Sequence, residues 1–511
     1  MDTASDYLHF RTETDDDNIV WLTFDKADAG TNVFSPEVLE ELDSVLQRIA
    51  EQPPRGMVIL SGKPNGFIAG ADIKSFTDVR NEQDAMAFLK RGQEVFNRLA
   101  GFLFPTVALI HGFCLGGGTE MALACRYRIM RDDPGTRIGL PEVRLGIHPG
   151  WGGSARMVPL IGAIKAMDLI LSGRSIDGRT AKRFGLADHI SAERHLRAAA
   201  RRLVLDRPEP YRAGLVDRLS NHALIRPLLG RVFRKQVGKR ARKQHYPAPY
   251  AMIDIWQQHA GNTSRMLQAE AESLARLITG ATARNLIRVF FLMEQLKSLG
   301  KDSNWRPAHV HVIGAGTMGG DIASWCALRG FRVSLQDQAP ERIAPAVGRA
   351  HSLFRRKLKH PRKIQAAMDR LIPDHRGLGI GHADIVIEAI FEDAEVKRAL
   401  YRDIEPRMKE DAMLASNTSS IPLEELTESL SRPGRLVGLH FFNPVAKMQL
   451  VEIVHGKDTD GEVASRAMAF TRQIDRLPLP VSSTPGFLVN RILMPYLMEA
   501  VVLESEGVPA T

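Results

Sequence analysis

The stretch "HVHVIGAGTMGGDIASWCALRGFRVSLQD" (309–337) decides how the second half of this chain folds. An apolar strand pattern runs into Gly314, Gly316 and Gly319 in G-x-G-x-x-G spacing. An apolar helical run follows, then a second strand pattern that ends at Asp337. Glycines at this spacing allow a tight turn, close backbone approach to a pyrophosphate and close helix–strand packing. The helix start receives phosphate, and an acidic residue after the second strand can take ribose hydroxyls. The glycine pattern alone is weak. With strand, helix, second strand and Asp337 all in place, it reads as a Rossmann domain that prefers NAD to NADP. A Rossmann-like domain without a ligand is the alternative.

Outward from that stretch, "KDSNWRPA" (301–308) reads as a linker. Before it, 264–300 reads as one or two long helices that bridge two domains. The chain has 511 residues, more than one hydrophobic core usually serves. The expected fold class is α/β, with segments 1–190, 191–300 (helical), 301–308 (linker), 309–483 (Rossmann) and 484–511. No internal repeat is visible. Net charge is +9 and the pI near 9.5, which suits nucleic acid or an anionic small molecule such as a phosphorylated cofactor. Seven of these cations fall in 231–243, a run read as a solvated face or as an attractor of phosphates, a partner or an anionic membrane surface. Nothing in it suggests sequence-specific nucleic-acid reading. Cys114, Cys125 and Cys326 are too few and scattered for a disulfide framework or zinc site, so no metal is expected and a reducing cytoplasm is the default. The acidic start, "MDTASDYLHFRTETDDD", has no apolar core of a signal peptide, and no window approaches 18 uncharged apolar residues.

The first 190 residues alternate strands and helices. "GFIAGADIKSF" (66–76) and "HGFCLGGGTE" (111–120) place glycine or alanine where a strand ends. Two N–H groups from such turns can converge on one oxygen and stabilise developing negative charge. Glu120 follows the second turn. Glu142 lies in "IGLPEVRLGIHPGWGG" (138–153) beside another glycine turn. Two carboxylates at one site can divide general-acid and general-base work on a water molecule. The plainer reading is that the glycines are turns and the glutamates are helix N-terminal charges.

"GRLVGLHFFNP" (434–444) sets His440 in an apolar run, and Glu452 follows twelve residues later in another. A buried histidine alone has a lowered pKa and an unfixed tautomer; a carboxylate partner counters both. A satisfied core histidine is the competing reading.

These motifs carry a family resemblance. "FIAGADIKSF", "HGFCLGGGTEMALAC" and "IGLPEVRLGIHPGWGGSARM" resemble the crotonase (enoyl-CoA hydratase/isomerase) superfamily, and look most like the amino-terminal half of bacterial fatty-acid-oxidation multifunctional α-subunits. The resemblance implies a ββα spiral fold. It implies an oxyanion hole from the N–H groups of Ala71 and Gly117, catalytic Glu120 and Glu142, and Gly150 opening a helix that faces the catalytic water. Retention of both glutamates favours hydration, with an enoyl isomerase side activity left open. "LASNTSSIPLEEL" (414–426), "VGLHFFNPVAKMQLVEIV" (437–454) and "TPGFLVNRIL" (484–493) resemble the L-3-hydroxyacyl-CoA dehydrogenase family. There His440 is the base, Glu452 orients it, and Ser419 and Asn490 hold the substrate oxygen. Glu392 and Lys397, in "EAIFEDAEVK" (388–397), fall at or near the cofactor site.

Together these imply a β-oxidation enzyme that hydrates trans-2-enoyl-CoA and oxidises the product with NAD. Acyl-CoA thioesters are the expected substrates. A thiolase β-subunit and a homo-oligomer are open as partners. The segment 484–511 reads as the first helix of a longer helical domain, its apolar face short of cover. Hydration alone is one alternative; a non-catalytic acyl-CoA- or RNA-binding protein is another.

Overall fold

The computed structural model describes residues 7–509. The first six residues of the acidic N-terminal stretch and the last two of the 484–511 segment lie outside the described residues. The chain divides into two compact units between Phe290 and Phe291. That point falls inside the helix Ala281–Ser298, not at 301–308. The 301–308 segment is not a free tether. Trp305 packs on the second unit's core and its carbonyl accepts from Gln473 Nε2 at 2.7 Å.

In the first unit, chain segments alternate between a six-stranded and a four-stranded sheet. Gly56–Ser61 lies in the large sheet, Gly66–Ile68 in the small one, and the helix Glu82–Ala100 follows. Thr106–Ile110, Phe113–Leu115 and the helix Gly117–Ala124 repeat the pattern. Tyr127–Arg131, Arg137–Gly139 and the helix Gly153–Ile161 repeat it again. This is a three-turn ββα spiral. The repeat is structural: the three turns differ in length and share no sequence period. The central strands of the large sheet, Ile19–Phe24, Gly56–Ser61 and Thr106–Ile110, are buried on both faces and read as apolar runs, while the edge strand Phe10–Thr14 is polar and exposed after Phe10. Val20, Leu22, Met57 and Ile59 join the main core, while Trp21, Val58, Val107 and Ile129 meet Leu196, Ala200 and Val204 of the helix Leu196–Asp206. A boundary at 190 leaves out that helix, which the sheet's second face requires. The long helical stretch resolves into Thr263–Ile278 and Ala281–Ser298, which flank Thr279 and Gly280.

The second unit holds one eight-stranded sheet. Its order runs Leu371–Pro373, Arg332–Gln336, His309–Ile313, Ile385–Glu388, Met413–Ser416, Leu436–Phe441, Leu450–His455, Leu477–Ser482. The first six are parallel. The chain moves to one side of His309–Ile313 and then crosses to the other, and such a switch point opens a ligand crevice at the strands' carboxyl ends. The helix Val489–Ser505 contributes no buried residue, and Ile492, Tyr496 and Val501 are more than half exposed.

Candidate active sites

Three neighbouring parallel strands of the small sheet end side by side in the first unit: Gly66–Ile68, Phe113–Leu115 and Arg137–Gly139. The chain then turns, and Ala71, Gly117 and Glu142 follow directly. Gly70 (φ +112°) and Gly116 (φ +53°) make turns that L side chains rarely adopt. A Cβ placed on Gly117 would stand 3.4 Å from the Ala71 nitrogen and 2.6 Å from the Trp151 ring, so the two turns approach closely because neither carries a large side chain. Among the described residues neither the Ala71 nor the Gly117 N–H donates to another protein group.

Glu142 opens the 3-10 turn Glu142–Leu145. Both its carboxylate oxygens are buried and lack a protein partner among the described residues. Burial first, and then the Glu120 and Glu270 carboxylates, hold its proton affinity well above the ordinary range. Buried polar atoms are normally paired, so two orphaned oxygens in one side chain mark a place for a ligand. Leu286 and Ala283, on the helix Ala281–Ser298, close against Gly146 at the end of the same turn.

Glu120 sits in the first turn of Gly117–Ala124, 3% exposed. Its Oε1 accepts the N–H groups of Trp151 (2.7 Å) and Gly153 (2.8 Å). Burial raises its pKa to about 7, while those N–H groups and the Arg156 charge pull the other way. Gly150 does not open the helix. Gly152 is the N-cap and the helix starts at Gly153, because Gly152 takes the left-handed φ of +96° needed to turn into it. The Gly150 carbonyl instead accepts from Gln93 Nε2 at 2.8 Å.

Sequence reading passed over Glu270. It is fully buried on Thr263–Ile278, and its carboxylate takes the Gly152 N–H (2.9 Å), the Ala155 N–H (3.0 Å) and the Ser154 hydroxyl. A signal was present: Glu270 interrupts the apolar stripe Met266, Leu267, Ala271, Leu274, Ile278.

In the second unit, a groove of ≈ 770 Å³ is lined by Gly314, Ala315, Gly316, Asp337, Glu392 and Ser419, among others. The glycines divide their work. Gly314 has φ +100°, and a Cβ there would lie 2.5 Å from the Ala389 carbonyl. A Cβ on Gly319 would lie 1.8 Å from the Gly314 carbonyl, so helix and strand pack only without one. Around Gly316 no atom lies within 4 Å of a Cβ, which leaves the open space a pyrophosphate would occupy. Asp337 accepts the Ala315 N–H at 2.8 Å and so closes the turn from the neighbouring strand. These residues fit a dinucleotide.

Glu392 Oε1 takes the Ser419 N–H (2.7 Å) and the Thr418 hydroxyl (2.6 Å), fixing the loop that carries Ser419. Lys397 lies beneath the groove, 1% exposed, bound to Glu388 at 2.6 Å and 3.4 Å from Glu392. It reaches the cofactor site only through Glu392. Tyr401 and Ser416 hydroxyls complete the Glu388 cluster, at 2.9 and 2.8 Å.

The twelve-residue spacing of His440 and Glu452 is a register. Leu436–Phe441 and Leu450–His455 are antiparallel, and His440 lies directly opposite Glu452. Nδ1 of His440 lies 2.7 Å from Glu452 Oε2. Glu452 Oε1 accepts the Leu488 and Val489 N–H groups, at 3.0 and 2.8 Å. Burial pushes Glu452 up, but His440 and those N–H groups outweigh it and hold the carboxyl below its ordinary value. Asn490 Nδ2 donates to the Ser419 carbonyl at 3.2 Å, so both of the expected substrate-oxygen ligands lie together.

Residues 14–208 match the family model for enoyl-CoA hydratase/isomerase, and residues 309–484 match that for the NAD binding domain of 3-hydroxyacyl-CoA dehydrogenase. The chain is 36% identical over 512 residues to the fatty acid oxidation complex subunit alpha of Aliivibrio fischeri, covering 98% of this chain and 74% of that protein. It is 35% identical over 519 residues to the Vibrio cholerae subunit, covering 98% and 73%. Among solved structures it is similar to 3-hydroxybutyryl-CoA dehydrogenase from Escherichia coli, with 36% identity, 40% of this chain, 44% of that one and a TM-score of 0.39. Among the described residues no helix is long and apolar enough to cross a membrane. The chain belongs to the family of fatty acid oxidation complex alpha subunits, with an enoyl-CoA hydratase domain followed by an NAD-binding 3-hydroxyacyl-CoA dehydrogenase domain of β-oxidation.

Proposed function

We propose that Glu120 and Glu142 add water to a trans-2-enoyl-CoA, and that the His440–Glu452 pair serves oxidation of the resulting L-3-hydroxyacyl-CoA. The thioester carbonyl oxygen lies between the Ala71 and Gly117 N–H groups. Ionised Glu120 takes a proton from water as the water oxygen bonds to the β-carbon. Electrons move onto the thioester as an enolate, which the two N–H groups stabilise. Protonated Glu142 then gives its proton to the α-carbon, and after product release Glu120 gives up the proton taken from water while Glu142 regains one by exchange with solvent. Both carboxyls are raised, Glu120 to about 7 and Glu142 well above the ordinary carboxylate range, so each can exchange a proton near neutral pH.

In the second unit, His440 uses its remaining ring nitrogen to take the hydroxyl proton. Glu452 fixes the tautomer and stabilises the imidazolium that forms. Ser419 and Asn490 hold the substrate oxygen, with Glu392 setting the Ser419 loop. Bound in the Gly314–Gly319 groove, NAD supplies the hydride acceptor. A thiolase β-subunit that consumes the 3-oxoacyl-CoA, self-association and a cytoplasmic setting belong to the same reading.

The observation that carries the proposal is Glu142, whose two oxygens are buried and unpartnered beside the Ala71 and Gly117 N–H groups. The test is one cuvette holding the full chain, a trans-2-enoyl-CoA and NAD. Enoyl-thioester absorbance is expected to fall as NADH appears. Enoyl loss without NADH would restrict the reading to hydration. No change in either signal would overturn it.

A further inference from the structure

The helix Gly153–Ile161 begins against two buried carboxylates, not one. Its first N–H groups alternate between them: Trp151 and Gly153 to Glu120, Gly152 and Ala155 to Glu270. The two glutamates come from different helices, Gly117–Ala124 and Thr263–Ile278. Between them they fix the direction of four backbone donors in five residues. Glu270 donates nothing in this arrangement; both its oxygens accept.

We propose that Glu270 is a positioning residue for hydration, acting through the 151–155 turn and through its charge on the Glu120–Glu142 pair. This rests on the hydratase reading above. The first route is mechanical. Without a carboxylate at 270, the Gly152 and Ala155 N–H groups and the Ser154 hydroxyl lose their acceptor, and the Gly153 N–H between them is held on Glu120 less firmly. The Gly152 turn is glycine and resists little. The second route is electrostatic and has one sign. Burial, and then the Glu120 carboxylate, raise the Glu270 pKa to about 8, so its charge appears as pH rises through about 8; there it raises the proton affinity of Glu142, and its removal lowers it.

The other groups around Glu270 do not duplicate this effect. Arg156 is the cation acting on both Glu120 and Glu270. His148, held at about 4 by burial, is neutral and bonds Ser273 on the same helix as Glu270. From the helix Glu82–Ala100 the nearby polar group is the neutral Gln93 amide, bonded to Gly150 and Leu267; Lys90 lies with Glu272 along the cleft mouth. From the helix Pro247–His259, Asp254 is tied to Arg234 on the outer side.

The experiment compares full-chain E270Q and E270D with the parent chain, following hydration of a trans-2-enoyl-CoA across pH, with NADH formation from supplied L-3-hydroxyacyl-CoA as a control in the other unit. A glutamine presents an N–H2 to one of the turn's own donors. E270Q is expected to lower kcat about tenfold or more with little change in KM, because positioning errors act on the reacting geometry. The alkaline limb of its pH profile should move to lower pH by about half a unit or more. E270D keeps the charge on a shorter arm, so its kcat should fall while its limbs stay in place. Parental kcat with unmoved limbs in E270Q would overturn the proposal, as would identical profiles for E270Q and E270D. Should E270Q fail to fold, E270D decides: lowered kcat at unchanged KM supports the role, and parental kcat overturns it. Absence of hydration in the parent chain would instead sink the hydratase reading itself.

Discussion

Glu120 and Glu452 make a controlled comparison within one molecule. Each is a buried glutamate. Each accepts two backbone N–H groups at a helix start, Trp151 and Gly153 in one unit, Leu488 and Val489 in the other. Yet Glu120 is raised to about 7 and Glu452 is lowered. Burial is the largest influence at both, and it acts upward. The difference lies first in burial, which acts harder on Glu120, and then in the company each keeps. Glu452 faces the His440 ring at 2.7 Å, while Glu120 shares its enclosure with two further carboxylates, Glu142 and Glu270. Helix N-termini alone do not keep a buried carboxylate ionised; a paired base does. In the proposed reading, hydration uses carboxyls that exchange protons near neutrality, and oxidation uses one that stays charged to support a histidine.

The comparison breaks most visibly when the central groups are removed. E142Q should lower hydration about 10²–10⁴-fold, the usual worth of a positioned acid or base, and leave NADH formation from supplied L-3-hydroxyacyl-CoA unchanged. H440Q should do the reverse by a similar factor. Equal loss of both activities in either variant would show that the two sites are not independent. E452Q should cost less. A hydrogen bond to a charged group is worth about 1.5–3 kcal/mol, hence roughly tenfold to hundredfold in dehydrogenase kcat. G319A places a methyl against the Gly314 carbonyl and should destabilise the second unit by about 1–3 kcal/mol, seen as a lower denaturant midpoint with weaker NAD binding.

Protonation gives the smaller effects. Hydration kcat/KM should climb as pH rises through about 7, where Glu120 loses its proton. The same shift bears on stability. Glu120 holds its proton more tightly folded than unfolded, so its contribution to folding is present below about 4.5 and is lost as pH rises through about 7. The thermal midpoint of the first unit should therefore decline across that window, and E120Q should flatten the decline.

Much of this was legible in the sequence because local signals and tertiary roles coincide. Gly314 and Gly319 each have a steric reason to be glycine that the spacing already encodes, and Gly316 leaves open space at the helix start. What stayed hidden depends on distant pairing. The sheet register places Glu452 opposite His440, and no count of residues reveals that register. Lys397 is expected at or near the cofactor site, but the helix turns it inward onto Glu388. The helix Leu196–Asp206 reads as the start of a helical extension, since only the assembled sheet reveals a second face to cover. Glu270 is separated from Glu120 by 150 residues of chain, and its only local mark is a charge in an apolar stripe.

The most direct test of the central claim is infrared difference spectroscopy over a pH series, comparing the parent chain with E142Q and with E452Q. The claim predicts that the carboxyl removed by E142Q keeps its protonated C=O band to higher pH than the carboxyl removed by E452Q. The reverse order, or a common titration for both bands, would contradict it.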